Sequence, residues 1–504
     1  MTLTKLRRSS TSLRRPFQSL SVPNYRRYFA GQVISISGNW MQTVGEMWLV
    51  LRLTDSATAV GITTALQFTP MLFAGAWGGV LADRLSKRRL LAWTQSLMAI
   101  PALTLWMLTM TGHVTVLVVM ALVFVRGSVN AIDNPARQSF VMELVGRDRV
   151  VNAVSLNSLI VQSARIIGPA LAGIVIATLG IATCFLLNSL SFGAMLIALW
   201  RINPAELQPT HRTTREPGQL REALRYVKRT PELSIPLGVM AIVGTLSFNF
   251  QTILPLMARF AFHGSAGTYA ALTSAMAVGA GGGALAVGTR RRVGPEVLAL
   301  AALAFGVFGL ASAVAPSLGS EFVLLAAVGA ASVPFAAGIN SSLQLAAAPE
   351  MRGRVMALYS VVFLGSTPIG GPLAGWMSGA FGPRSALVLA GIAALVGGAV
   401  IWSSLIRRPA AVAAASVQLH DATDLVEAVD QPLYVGRRVV HREGRPRGRA
   451  YAQLAHQRLR AVMPGSHADP LPSEDLADVV RMGAVERERD ERAAVGGSQR
   501  AVHD

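Results

Sequence analysis

The stretch GGVLADRLSKRR, from Gly78 to Arg89, turns from apolar to strongly charged within a few residues. It ends an apolar run that begins near Ala59. A run of about 20 apolar residues is long enough to cross a bilayer as one helix. The stretch therefore predicts the end of a membrane-spanning helix and the charged loop that follows it.

The same pattern recurs along the chain, which has 504 residues, 52% of them hydrophobic and only 14% charged. Apolar runs of spanning length between charged connectors predict an all-α membrane protein. We predict twelve transmembrane helices, at residues 28–52, 59–82, 90–111, 114–133, 150–177, 181–200, 233–257, 267–289, 296–315, 321–342, 355–378 and 385–406.

The formal net charge is +19, but its distribution argues against a nucleic-acid partner. Of the 33 Lys and Arg residues before Pro409, 28 fall on one side of the predicted topology. Basic residues resist translocation, so we expect this side to be cytoplasmic, with both termini inside the cell membrane. Anionic membrane lipid at the inner leaflet then accounts for the excess charge.

Polar segments divide the chain into five predicted parts. The first 27 residues lack the short apolar core of a signal peptide, so we expect a retained basic arm. The parts are the arm at 1–27, a six-helix bundle at 28–200, a cytoplasmic linker at 201–232, a second six-helix bundle at 233–406, and a polar tail at 407–504. For the tail, disorder and a small accessory domain are both open.

The linker contains the sequence QLREALRYVKR, which predicts an amphipathic helix. Its apolar face consists of Leu220, Ala223, Leu224 and Val227. Such a helix lies in the membrane interface in one interpretation and is a solvated linker helix in the other.

Two short motifs recur in the two bundles at nearly equal offsets. GAWGGVLA at 75–82 matches GAGGGALA at 279–286 in six of eight positions, and GPALAG at 168–173 matches GPLAG at 371–375. Each pair falls in equivalent predicted helices of its half. The bundles are therefore predicted to be parallel repeats, an arrangement that places a substrate site between them near the bilayer midplane.

The motif Gly79-x-x-x-Asp83-Arg84-x-Ser86-Lys87-Arg88 resembles the loop 2–3 signature of the major facilitator superfamily, with Ser86 in place of the usual Gly. Residues 24–54, 133–140 and 165–173 resemble the branch that includes the enterobactin exporter and related predicted secretion transporters. The resemblance covers about residues 17–406 and implies two six-helix bundles, the major facilitator fold, that open alternately to each side.

Three charged residues within the predicted spans are candidates for proton coupling, because ionisable groups in hydrocarbon are costly. Glu46 lies about 9 Å inside the outer boundary of its helix, and Arg126 and Arg165 lie deep in theirs. The arrangement resembles that of multidrug antiporters, which have an acid in helix 1 and an Arg in helix 4; the resemblance implies that Glu46 exchanges a proton and that Arg126 is linked to its transfer. The alternative for Glu46 is a structural or snorkelling side chain. Arg126 could hold a carboxylate ionised or attract an anionic substrate, or form a permanent ion pair that orients the bundle. Arg165 is a second possible partner of Glu46.

The opening stretch also carries a predicted gate. By the resemblance, Gly79 allows close approach of helix 11, and Asp83 faces the positive N-terminal end of that helix. Arg84 or Arg88 would then reach Asp133 at the inner end of helix 4 when the substrate site faces outward.

Polar and aromatic residues of helices 1 and 7 are predicted to line the substrate site. They are Asn39, Trp40, Gln42, Asn249 and Gln251. Asn39, Gln42 and Glu46 share one helical face. The alternative role for any one of these polar residues is a hydrogen bond between helices.

The repeated Gly-Pro pairs, Gly168-Pro169 and Gly371-Pro372, predict either a helix bend or close helix packing, because proline removes a helical hydrogen bond and glycine lets backbones approach. The first pair partly resembles the helix 5 motif of exporters.

The sequence predicts a proton-driven, monomeric exporter of small amphipathic molecules, such as a siderophore, drug or secondary metabolite, that uses the proton gradient and no cofactor. An uptake symporter or lipid flippase on the same fold is the first alternative, and a membrane receptor or scaffold acting through the tail is the second. No nucleophile–base pair, phosphate-binding loop or metal-ligand motif indicates an enzyme. The single cysteine, Cys184, excludes an intramolecular disulfide.

Overall fold

The computed structural model describes residues 15–208, 219–288 and 294–404, and four residues of the tail. The chain separates into two compact units, Met1–Ile406 and Arg407–Asp504. In the second unit the described part is an antiparallel pair, β1 (Tyr434–Val435) and β2 (Arg438–Val439).

The first unit is helical throughout its described length, apart from its connections. Its first half consists of α1 (Pro23–Thr54), α2 (Ala57–Arg84), α3 (Lys87–Met110), α4 (Val116–Val145), α5 (Val150–Leu179) and α6 (Ile181–Trp200). Short 3₁₀ turns lie at Arg15–Ser21, Arg147–Arg149 and Pro204–Glu206.

The linker helix α7 (Gln219–Arg229) leads to the second half. That half consists of α8 (Pro231–Ser247), α9 (Phe250–Leu256) continued by a π-helix (Met257–Ala261), α10 (Ala266–Gly288), α11 (Pro295–Ala313), α12 (Leu318–Ala346), α13 (Pro349–Gly365), α14 (Thr367–Phe381) and α15 (Ser385–Ser404).

Ten helices or joined helices in the described ranges are long and apolar enough to cross a membrane. Helix α1 is 32 residues long but is not among them, because it carries many polar residues. Helix α2 has a described apolar portion, Ala57–Phe73, of less than spanning length. The described part of the first unit is therefore an all-α, multi-pass membrane domain.

Two of the predicted continuous helices are interrupted. The seventh breaks between α8 and α9, where Phe248 and Asn249 have non-helical ψ angles of 28° and 35°. The eleventh has a one-residue interruption at Ser366, two residues before Pro368, which lacks the N–H that a helix requires. Proline patterns pointed to Pro372, but the chain remains helical there.

The linker helix α7 lies partly against protein. Ala223 and Val227 are buried, whereas Leu224 is exposed. The helix packs on α13: Tyr226 Oη accepts the backbone N–H of Ala348 at 3.2 Å, and Glu222 pairs with Arg354 at 2.6 Å. Protein thus covers the apolar face at Ala223 and Val227, because the start of α13 lies against it, while the side chain of Leu220 lies outside the described residues.

Three glycines spaced seven residues apart bring α1 against α6. A Cβ at Gly31 would lie 2.7 Å from the Ala198 Cβ, and one at Gly38 would lie 2.5 Å from the Asn188 Oδ1. Gly45 packs against Phe185 in the same way. Since small residues let membrane helices approach closely, this stripe fixes the register of α1 on α6.

The repeated glycine motif of the second half performs a similar role. Gly279 and Gly283 of α10 lie against the backbone of α12 at Ala326 and Ala330. In the first half, Gly127 of α4 approaches the backbone of α2. Close packing thus joins α2 to α4 and α10 to α12, which occupy equivalent places in chain order.

The two halves touch along two helix pairs, α2 with α14 and α5 with α10. A Cβ at Gly61 would overlap the carbonyl oxygen of Gly371, and one at Gly173 would lie 2.9 Å from the Ala270 Cβ. Backbones at this seam are therefore nearly in contact.

Further contacts between the halves lie where α1 ends and α2 begins, which we call the Asp55 end. Trp48 stacks on Tyr269 with ring centroids 6.5 Å apart, and Thr252 Oγ1 donates to Thr64 Oγ1 at 3.0 Å. Asp55 and Arg259 form an exposed ion pair at 3.2 Å. These contacts hold the halves together at the Asp55 end. We call the opposite end, where α7 lies, the linker end.

Candidate transport site

A chain of buried polar side chains runs through the first half and ends on the ion pair of Glu46 and Arg126. Ser191 Oγ donates to Asn188 Oδ1 at 2.8 Å, and Asn188 Nδ2 donates to Gln42 Oε1 at 2.5 Å. Gln42 Nε2 donates to one Glu46 oxygen at 2.7 Å, and Arg126 Nη2 donates to the other at 2.5 Å. Glu46 is thus paired with Arg126 and not with Arg165.

Almost every polar atom along this chain has a partner, which is what a buried polar network requires. Glu46 is fully buried and Arg126 is 6% exposed. Both Glu46 oxygens accept a hydrogen bond, so the carboxylate is compensated on both sides. Among the described atoms, Arg126 Nε has no partner. The arrangement can hold a charge in a low-dielectric interior and can change if Glu46 takes up a proton.

Arg165 lies on a separate part of the first half. Its guanidinium carbon is 5.4 Å from the ring centroid of Trp40, a cation–π distance. In the portion of the chain that the structure describes, no carboxylate or carbonyl accepts a hydrogen bond from it. Trp40 is therefore a neighbour of Arg165 and is outside the Glu46 network.

Asp133, a predicted gate residue, is buried in a second polar cluster. Thr94 Oγ1 donates to it at 2.5 Å and Gln95 Nε2 at 2.8 Å, and Arg137 forms an ion pair with its other oxygen. Ser35 Oγ on α1 donates to Gln95 Oε1 at 3.2 Å, so the cluster links α1, α3 and α4.

The basic residues of the predicted gate lie elsewhere. Arg88 donates to the carbonyl oxygens of Leu199 and Trp200, at 2.8 and 3.0 Å, at the C-terminal end of α6. Arg84 is exposed. In this conformation Asp133 is thus satisfied without either arginine. Gly79 and the side chain of Asp83 lie outside the described part of the structure.

The predicted lining residues of the second half sit at the break between α8 and α9. Asn249 Nδ2 donates to the Thr245 carbonyl at 2.6 Å, while Asn249 Oδ1 and Gln251 Oε1 have no partner in the described structure. On α1, Asn39 is partly exposed and is not part of the Gln42–Glu46 network. The break therefore presents unused hydrogen-bond acceptors.

An aromatic cluster that the sequence analysis missed surrounds this break. The Phe248 ring contacts three others at centroid distances of 5.4 to 6.3 Å, and Tyr359 stacks on Phe363 at 6.0 Å. The rings in contact with Phe248 belong to Phe305, Phe335 and Phe363. The first half is thus polar and charged where the second is aromatic.

Both Gly-Pro pairs serve close packing. A Cβ at Gly168 would lie 2.5 Å from the Trp40 Cβ, and α5 continues as one helix through Pro169. Gly371 lies against Gly61 across the seam, and α14 continues through Pro372.

Glu321 is a second buried acid that the sequence analysis did not select. It is fully buried near the start of α12, where Ser312 Oγ donates to its Oε1 at 2.7 Å. Its Oε2 has no partner among the described atoms. In the sequence it stands at the first residue of the predicted span 321–342, where the N-terminal end of a helix stabilises an acid and no functional role is indicated.

Comparisons with known proteins identify the family. The sequence profile described as transmembrane secretion effector matches residues 14–435. The staphyloferrin A transporter of Staphylococcus aureus is 27% identical over 261 residues, which cover 50% of this chain and 64% of that protein. The multidrug efflux pump Tap of Mycobacterium tuberculosis is 28% identical over 372 residues, covering 69% and 86%.

The enterobactin exporter EntS of Citrobacter koseri is 25% identical over 393 residues, covering 75% of this chain and 91% of the exporter. Among solved structures, an inward-facing, unoccupied bacterial homologue of the lysosomal transporter Spinster matches with a TM-score of 0.61, at 15% identity over 75% of this chain and 96% of that one. An inward-facing bacterial ferroportin homologue also gives 0.61, at 12% identity over 76% and 98%.

These structures show the fold alone, whereas the profile covers most of the chain. The named relatives are transporters and not enzymes. The chain therefore belongs to the transmembrane secretion effector family of the major facilitator superfamily, and it is a secondary transporter of small molecules.

Proposed function

We propose that this protein is a proton-coupled exporter of small amphipathic molecules, such as siderophores, drugs or secondary metabolites, and that it works as a monomer by alternating access in the cell membrane. The observation that carries the proposal is the buried Glu46–Arg126 pair at the end of a hydrogen-bonded chain. The names of the staphyloferrin, enterobactin and Tap relatives support the substrate class and direction.

Proton coupling follows from the chemistry of this pair. Glu46 is the one acid that Arg126 contacts in the described structure. When Glu46 takes up a proton, the ion pair is lost, and Arg126 is left as an uncompensated buried charge. A change of conformation that gives Arg126 a new partner or access to water then becomes favourable. Protonation of Glu46 and movement of the first half are coupled in this scheme.

We further propose twelve transmembrane helices in two parallel repeats. In this arrangement α8 with α9 forms the seventh helix and α13 with α14 the eleventh. Matching glycine contacts between α2 and α4 and between α10 and α12 support the repeat. The linker end carries Arg84, Arg88 and Arg89, which supports its placement in the cytoplasm and hence cytoplasmic termini.

With that orientation, contacts between the halves at the Asp55 end close the outer side. We propose that the substrate site faces the cytoplasm in this conformation, and that the Asp83–Arg84–Arg88 stretch closes the inner side in the opposite state. The separation of Arg88 from Asp133 fits an open inner gate.

Transport in everted membrane vesicles tests the proposal. The vesicles are energised with a proton gradient, and a fluorescent amphipathic dye is added outside them. Accumulation of the dye inside the vesicles is compared with and without a protonophore. Proton-driven accumulation that the protonophore abolishes is expected, because everted vesicles turn export into uptake. Accumulation of the dye in whole cells instead would indicate an uptake symporter and contradict export.

A further inference from the structure

We propose that Arg165 and Trp40 form the subsite that binds the acidic group of an anionic aromatic substrate. This inference rests on the proposed transport function and names a substrate class for it. The observation that carries it is a guanidinium within the membrane that lies over an aromatic ring and has no anionic partner in the described structure.

An unpaired arginine at this depth requires a reason. A charged side chain at the centre of a spanning helix is costly to insert into a membrane unless it is compensated. Arg126 is compensated by Glu46, and Arg137 by Asp133. The cation–π contact of Arg165 compensates it only in part. Arg165 therefore keeps N–H donors available for an anion that arrives from outside the protein.

The direction of Arg165 is away from lipid. Helix α5 turns about 100° per residue. Within nine residues of Arg165, the exposed large apolar side chains of α5 are Leu159, Ile167, Leu171 and Ile174, which lie about 120° to 240° from Arg165 around the helix. Exposed apolar side chains on the Arg165 side, Val151, Val154 and Leu179, lie near the ends of α5. At the depth of Arg165 the lipid-facing side of the helix is therefore the opposite one, and Arg165 points to the interior. The next residue, Ile166, accepts a hydrogen bond from Ser274 of the second half at 3.3 Å.

Trp40 also lies on a face of α1 that meets the second half. It precedes Gln42 by two residues, so the two side chains are about 200° apart and the Glu46 network lies on another face. Met47 follows Trp40 by seven residues and shares its face. Thr64, which contacts the Met47 sulfur at 3.5 Å, also accepts a hydrogen bond from Thr252 of the second half.

Both side chains are partly exposed at the seam between the halves. A planar guanidinium binds a carboxylate through two parallel hydrogen bonds, and an aromatic ring stacks on indole or guanidinium. An aromatic carboxylate offers both groups, whereas a permanently cationic ligand would be repelled by Arg165. The pair therefore favours anionic aromatic substrates.

Binding of two matched probes to the purified, full-length protein in lipid nanodiscs tests the proposal. The probes are 1-naphthoate and the uncharged 1-naphthylmethanol, and titration calorimetry measures their affinities. We expect wild-type protein to prefer naphthoate by about tenfold or more, as a charge-assisted hydrogen bond provides. Arg165→Gln should abolish the preference without weakening binding of the alcohol, and Arg165→Lys should retain part of it.

Arg52→Gln serves as the matched control, since Arg52 is exposed near the Asp55 end of α1. It should leave the preference intact. Trp40→Ala should weaken the binding of both probes. The proposal would be overturned if wild-type protein bound the two probes with equal affinity, or if Arg165→Gln lost affinity for both probes equally. Proton-driven efflux of an uncharged amphipathic dye is measured in parallel: if efflux persists while the naphthoate preference is absent, the substrate class fails and the transport function stands.

Discussion

A double-mutant cycle on Glu46 and Arg126 measures how strongly the two charges depend on each other. Glu46→Gln retains an acceptor for Gln42 Nε2 but removes the negative charge from Arg126. Loss of one partner from a buried ion pair costs about 3–5 kcal/mol, because the other charge is left uncompensated. Arg126→Gln should cost a similar amount. The double variant removes both charges and should recover at least about 2 kcal/mol of the summed loss.

Equilibrium unfolding of purified protein in mixed micelles, titrated with SDS, gives the free energies of unfolding for this cycle. The control is the same cycle on Asp55→Asn and Arg259→Gln, whose side chains are 60% and 44% exposed. An exposed pair of this kind contributes about 0–1 kcal/mol. If the losses for Glu46 and Arg126 are simply additive, or no larger than those of the control pair, the interpretation of a coupled buried pair is refuted.

Three further variants test the packing and the gates. Gly38→Val should lower stability by about 1–3 kcal/mol and reduce efflux, because the new side chain displaces Asn188. The control is Gly193→Val, whose Cβ would meet no atom within 4 Å and which should be close to neutral. A thermal-stability assay compares the two variants. Gly61→Val should separate the halves at the Asp55 end and raise thiol labelling of a Thr252→Cys reporter, whereas Gly238→Val should not. Asp83→Asn should slow exchange between inward and outward states more than it weakens substrate binding; a pure loss of affinity would contradict a gating role.

Hydropathy and charge were enough to predict most helices, because bilayer thickness fixes the length of a span. They did not predict where helices end or break. Helix α4 extends to Val145, twelve residues beyond its predicted end, because a charged, amphipathic extension continues the helix past the apolar core. The break at Phe248 and Asn249 carries no proline or glycine, and it depends on tertiary contacts around the aromatic cluster.

The site was predictable in part. The polarity of α1 singled out Gln42 and Glu46, since polar groups in a span need partners. Their actual partners, Asn188 and Arg126, come from helices whose rotation the sequence did not reveal. One signal was present: Gly31, Gly38 and Gly45 recur every seven residues and face α6. That spacing marks a close-packing face of α1 on the side of Gln42, but it does not identify α6 or Asn188 as the partner.

The central claim, proton-driven export through Glu46, is tested most directly in everted vesicles that carry wild-type protein or Glu46→Gln at matched expression. Substrate is added to vesicles with a preformed pH gradient, and a pH-sensitive dye reports proton movement. Substrate should release protons from wild-type vesicles, and Glu46→Gln should abolish this release while substrate binding remains. Substrate-driven proton release of equal size in the two would contradict the account.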